Sequence, residues 1–166
     1  MLGKVRFGAV SLGVVVLLAA AVLSGRPAEA QAQVNRHIYS ETADAHADIA
    51  NALNTASRQR KRVIVDFGGN WCGDCLVLDY YMHQQPNLDL LEKNFVLVHV
   101  DIGQYDHNLD IVDKYQIPIH NGVPLLMVLT PRGTVLFVQR NKEFEKMQMV
   151  TPGVVENFLN QWKLKG

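Results

Sequence analysis

The run Arg62-Val63-Ile64-Val65-Asp66-Phe67-Gly68-Gly69-Asn70-Trp71-Cys72-Gly73-Asp74-Cys75 decides how this chain folds. Its first half is β-branched and apolar, and reads as a buried strand over Arg62–Phe67. Gly68-Gly69-Asn70 break that strand. A helix is predicted to open near Cys72 and to run through Leu76 and Leu78 toward Met82. Two cysteines, two residues apart, therefore stand where a strand hands over to a helix.

The chain has 2 cysteines, and both are in this motif. A bridge across so short a loop constrains little of the unfolded chain and stabilises weakly. The pair is better explained by reactivity than by stapling. A thiol attacks as the thiolate, and unpaired N–H groups with the helix dipole favour an anion at a helix N-terminus. Cys72 is the expected nucleophile there. Cys75, one turn further in, is expected to resolve the mixed disulfide. The rival reading is a metal site. A structural zinc needs four ligands; this pair offers two, with no second Cys pair and no His spacing of a ligand pair. No metal is expected.

Working outward, Thr42–Arg60 has helical periodicity in Ile49, Ala50, Leu53 and Ala56. Past the motif, Pro86 demands a kink or a break. Phe95–Asp101 reads as a strand, Gly103–Asp106 as a loop, Leu109–Tyr115 as a short helix and Ile117–Gly122 as irregular chain. Leu125–Leu129 and Thr134–Gln139 read as strands joined by the Pro131-Arg132-Gly133 turn. Asn141–Val150 has no clear pattern. Thr151-Pro152 reads as an N-cap with proline in the first turn. The last helix would carry Val154, Val155, Phe158, Leu159 and Trp162 on one face. Strand–helix alternation followed by a hairpin and a terminal helix implies an α/β fold, a mixed sheet with helices on both faces.

The whole chain sets the context. Its 166 residues suit one ordinary domain, and 48% hydrophobic against 19% charged residues allow a sizeable core. Sixteen basic and 16 acidic residues balance. The short Arg58–Arg62 basic run reads as the solvated end of a helix, so no nucleic-acid partner is expected. Residues 1–30 differ in kind. Lys4 and Arg6 precede an apolar run from Phe7 to Leu23, then Ser24-Gly25-Arg26-Pro27 and the small-residue pattern Ala28-Glu29-Ala30. This layout predicts a signal peptide over 1–30 cleaved after Ala30, leaving 31–166 as an exported, periplasmic domain. The alternative is an uncleaved membrane anchor, for which the run is short against about 20 residues.

Val63–Phe67, then Trp71-Cys72-Gly73-Asp74-Cys75, then Gly122-Val123-Pro124 ahead of a strand resemble the thioredoxin family, over roughly Arg62 to Trp162. The resemblance implies a thioredoxin fold and dithiol–disulfide exchange with disulfide-containing protein substrates. It implies no cofactor beyond the Cys72–Cys75 disulfide. It makes Asp66 the buried acid that assists proton transfer at Cys75, Trp71 the residue flanking the site and Pro124 the cis-proline beside the disulfide. Val123 would offer backbone hydrogen bonds to an extended substrate segment. His83, Tyr80 and Tyr81 are expected to have surface or packing roles.

The chain departs from that pattern at the dipeptide Gly73-Asp74, where thioredoxin has Gly-Pro. A carboxylate near the thiols is expected to disfavour the Cys72 thiolate, while the Asp74 N–H that proline would lack acts the other way. Those opposed effects leave the direction of electron flow open. An exported reductase would need a membrane thiol relay as electron donor. The competing readings are an oxidase or isomerase of secreted proteins, and a redox-inactive binding module.

Overall fold

The computed structural model describes residues 35–165. The expected leader over 1–30 lies outside them. Strand β1 (Arg62–Gly68) is the axis of the domain, and every residue from Val63 to Gly68 is buried. It pairs in parallel with β2 (Phe95–Asp101), in a register that sets Asp66 beside His99. On its other edge it pairs antiparallel with β3 (Leu125–Leu129), which pairs antiparallel with β4 (Val135–Val138). The sheet order is β2-β1-β3-β4, a mixed sheet.

Alternation along β1 divides the core. Val63, Val65 and Phe67 belong to the layer under α1 (Ala45–Gln59), with Ile49, Ala52, Ala56, Val98 and Val100. Asp44 caps α1 by accepting the Ala47 N–H at 3.0 Å, a contact worth about 1 kcal/mol. Ile64 faces the opposite layer, with Leu126 and Val128. That layer is closed by α2 (Gly73–Met82), α3 (Asn87–Asn94) and α5 (Gly153–Trp162), which bury Leu78, Met82, Leu91, Val155, Phe158 and Leu159 there. The short α4 (Leu109–Tyr115) returns the chain toward β3.

The element order follows the periodicity of the sequence, and one local expectation changes. Of the kink or break expected at Pro86 the chain takes the break, which separates α2 from α3. Thr151 does not cap α5 with its side chain. Pro152 takes the cap position with helical dihedrals, and the Thr151 carbonyl instead accepts the Val154 N–H at 3.1 Å. The patternless stretch Asn141–Val150 contains a 3₁₀ turn over Met147–Met149 and is anchored by the fully buried Phe144 and Met147. Phe144 meets Phe158 edge-on at 5.4 Å. Among the described residues no helix is long and apolar enough to cross a membrane.

Candidate active site

Gly68 ends β1, Gly69 and Asn70 turn the chain, and Cys72 caps the N-terminus of α2. Cys72 Sγ accepts the Cys75 N–H at 3.1 Å, in the place where a Ser or Asp usually caps a helix. The cap position therefore stabilises charge on this sulfur with both a hydrogen bond and the helix dipole. The two sulfurs are joined as a disulfide. Their exposure differs: Cys72 keeps 6% of its surface and Cys75 none. The Val123 carbonyl stands 3.6 Å from Cys72 Sγ, and the Val123–Pro124 bond is cis.

Two residues not singled out from the sequence hold this arrangement. Buried Gln139 accepts the Leu126 N–H at 3.1 Å and donates to the Pro124 carbonyl at 3.4 Å, which fixes the loop presenting Val123. Asn70 is more than a strand breaker. Its Oδ1 accepts the Ile38 and Tyr39 N–H groups at 3.1 and 3.0 Å, and its amide donates to the Tyr39 carbonyl at 2.8 Å. This clamp sets Tyr39 beneath the redox turn. A Cβ on Gly68 would strike the Tyr39 ring at 2.6 Å and Cys75 Sγ at 2.8 Å, so only glycine lets phenol and sulfur crowd together there.

Asp66 is fully buried behind the pair. Its Oδ2 accepts the Tyr39 hydroxyl at 2.7 Å and faces His99 Nδ1 at 3.1 Å. Among the described residues its Oδ1 has no hydrogen-bond partner. His99 Nε2 stands 3.2 Å from Asp79 Oδ1 on α2, and Asp79 also meets His83 Nδ1 at 3.3 Å. A chain of titratable groups thus runs from Asp66 to the half-exposed His83. Burial disfavours charge on His99, but the hydrogen bonds and charges of Asp66 and Asp79 outweigh it and push the imidazole up to about 9. Burial alone would raise Asp79, yet its hydrogen bonds to His83 and His99 hold it well below the usual carboxylate range. His83 is raised chiefly by its hydrogen bond to Asp79. Burial, then the Asp66 charge, keep the Tyr39 phenol far from ionising.

Comparison with known proteins agrees with this geometry. A thioredoxin-like family model matches residues 44–131, over half of the chain. A disulphide isomerase from Xylella fastidiosa Temecula1 is 31% identical, with a TM-score of 0.71, over 75% of this chain and 95% of that one. The chain belongs to the thioredoxin-like family. Its mixed four-stranded sheet is a thioredoxin-like fold, and the C-x-x-C pair makes it a thiol–disulfide oxidoreductase of that family. The thiol:disulfide interchange protein DsbD of Pseudomonas fluorescens is 24% identical over 131 residues, and that of Colwellia psychrerythraea 26% over 102. This chain spans only 20% and 16% of their lengths. The oxidised C-terminal domain of Neisseria meningitidis DsbD shares the fold at 18% identity, with a TM-score of 0.51 over 94% of that chain.

Within this thioredoxin-like site, the motif residues Asp74 and Trp71 each reach a distant part of the chain. Asp74 accepts two backbone N–H groups on its carboxylate, from Lys146 at 2.8 Å and Met147 at 2.9 Å. These two peptide donors make the Asp74 carboxylate a tether for the Lys146–Met147 backbone. Trp71 is 45% exposed; its indole donates to the Gly103 carbonyl at 2.7 Å and leans on Tyr105, 5.6 Å away. Gly73 leaves room for Gln148, 4.0 Å from where a Cβ would stand.

Proposed function

We propose that this chain is an exported oxidoreductase that reduces disulfides of protein substrates through Cys72 and Cys75, with a membrane thiol relay as electron donor. The observation that carries the reading is the asymmetry of the pair. Cys72 caps a helix and keeps 6% of its surface, whereas Cys75 is sealed, and next to Gly68 beside it lies the Tyr39 phenol, which is bonded to Asp66. In the reduced enzyme the Cys72 thiolate attacks one sulfur of a substrate disulfide. The substrate S–S bond breaks, its other sulfur leaves as a thiolate and takes a proton, and a mixed disulfide remains. Cys75 then gives its proton to Asp66, for which the unpartnered Oδ1 is the vacant acceptor. The Cys75 thiolate attacks Cys72 Sγ, releasing the second substrate thiolate and forming the Cys72–Cys75 disulfide. Two electrons pass to the substrate, and the donor returns two to reset the pair. The Val123 carbonyl and N–H, next to Pro124, are assigned to pairing with an extended substrate segment.

Insulin reduction by residues 31–166 with dithiothreitol as donor tests this. Wild type should turn over, and Cys72→Ser should not. Asp66→Asn should slow decay of a trapped mixed disulfide by about 100-fold. Full turnover in Cys72→Ser would sink the reading. The 31% identity to a protein described as a disulphide isomerase favours isomerisation as a second reading. A potential of the pair near about −270 mV supports reduction, and one near about −180 mV isomerisation.

A further inference from the structure

The segment Asn141–Val150 lies past the residues that the family model matches, and the redox chemistry above makes no use of it. It is built onto both halves of the site. On one side Asp74 holds its Lys146 and Met147 N–H groups, and Gln148 sits against Gly73. On the other side Glu145 Oε1 stands 3.4 Å from where a Cβ of Gly122 would be, one residue ahead of the cis Val123–Pro124 bond. Tyr81 on α2 donates to the Val150 carbonyl at 3.2 Å. Phe144 and Met147 pin the segment into the core with no exposed surface, while Met149 between these anchors and α5 is 81% exposed. A cleft lined by Tyr105, His120, Gly122, Lys142 and Glu145 separates the segment from the approach to Pro124.

We propose that this segment is a wall of the substrate groove that selects polypeptide over small disulfides, and that Asp74 is the positioning residue that latches it. The proposal rests on the redox reading of Cys72. Three facts lead to it. Cys72 is the outer sulfur but keeps only 6% of its surface, so a substrate sulfur arrives through a narrow opening. The segment meets the chain next to Cys72 and next to Val123: Gln148 lies against Gly73 and Glu145 against Gly122. An extended occupant fits, because the Val123 carbonyl beside Cys72 Sγ lies two residues ahead of β3 and offers a backbone acceptor there. A polypeptide laid there runs against Glu145 and Met149; a small disulfide needs neither. The Gly-Asp dipeptide therefore acts on substrate choice through a tether.

Asp74→Ala removes both acceptors, and Asp74→Glu restores a carboxylate. The readouts are trypsin cleavage after Lys146 and the ratio of kcat/KM for insulin to that for 2-hydroxyethyl disulfide. The expected result is faster cleavage after Lys146 and a ratio lowered at least fivefold in Asp74→Ala, both partly recovered in Asp74→Glu. A released segment with the wild-type ratio overturns the proposal, and so does an Asp74→Ala segment that stays protected. Should Asp74→Ala fail to fold, Met149→Asp at its exposed position carries the test: an unchanged ratio overturns the wall, and a lowered one supports it. Wild-type protein inert toward both disulfides would instead bring down the redox reading itself, so the two failures are distinguishable.

Discussion

The front and the back of the redox pair are built from opposite materials. The front, around Cys72, is backbone carbonyl, exposed Trp71 and Tyr105, and the tethered segment with Met149. The back, behind Cys75, is a buried string of ionisable groups: Tyr39, Asp66, His99, Asp79 and His83. Water can solvate charge at the front, so little fixed charge is needed there. Behind Cys75 Asp66 is fully buried and Asp79 nearly so, and each charge is held by another. At the front the charge of Asp74 holds the tethered segment and that of Glu145 sits on it, whereas at the back the charges face one another.

The comparison breaks most severely at His99. Replacing it by leucine leaves two buried carboxylates without their shared cation, which is expected to cost about 3–5 kcal/mol. Urea unfolding at pH 7 measures this, and adding Asp66→Asn to His99→Leu should recover part of the loss. A loss below about 1 kcal/mol would mean that the back is held by packing and not by charge.

A gentler probe leaves the sequence intact. His99 is raised from 6.5 to about 9 in the folded chain, so its contribution is complete below pH 6.5 and fades as pH rises through about 9. Asp79 runs the other way. Its lowered value means a contribution complete above its ordinary 3.8 and lost as pH falls below that. Stability of the oxidised protein should therefore be greatest between about pH 4 and 6.5 with respect to these groups, and decline toward pH 9. Thermal unfolding across that range checks it; a flat profile in His99→Leu sharpens the assignment.

The front should give the smallest response. Trp71→Phe keeps the ring against Tyr105 and loses the hydrogen bond to the Gly103 carbonyl, a change of about 1 kcal/mol or less. Thermal unfolding should register it weakly. A loss as large as that of His99→Leu would erase the distinction between front and back.

Much of the fold was legible because β1 and β2 are short buried runs bounded by clear breaks, and the cysteines lie where one of them ends. Asp66 was legible as an acid inside an apolar strand. His99 was placed on its strand but not beside Asp66, because a parallel register is set by the crossover between strands and leaves no local mark. Tyr39 was missed because Asn70 recruits it across 31 residues. Asp74 was read by its nearness to the thiols along the chain, whereas the groups that decide its role are 72 and 73 residues away. Asn141–Val150 showed no period because it is held by two buried side chains and a carboxylate, not by a repeating face.

Gly68 contributes no atoms beyond the backbone, and that absence sets a distance. Any side chain there would act as a spacer, driving the Cys75 sulfur from the phenol that is bonded to Asp66. The closeness of the Cys75 sulfur to the Tyr39 phenol is thus written into a position that has no side-chain chemistry of its own. A methyl group at Gly68 would press on Tyr39 and Cys75 at once, a cost of about 1–3 kcal/mol.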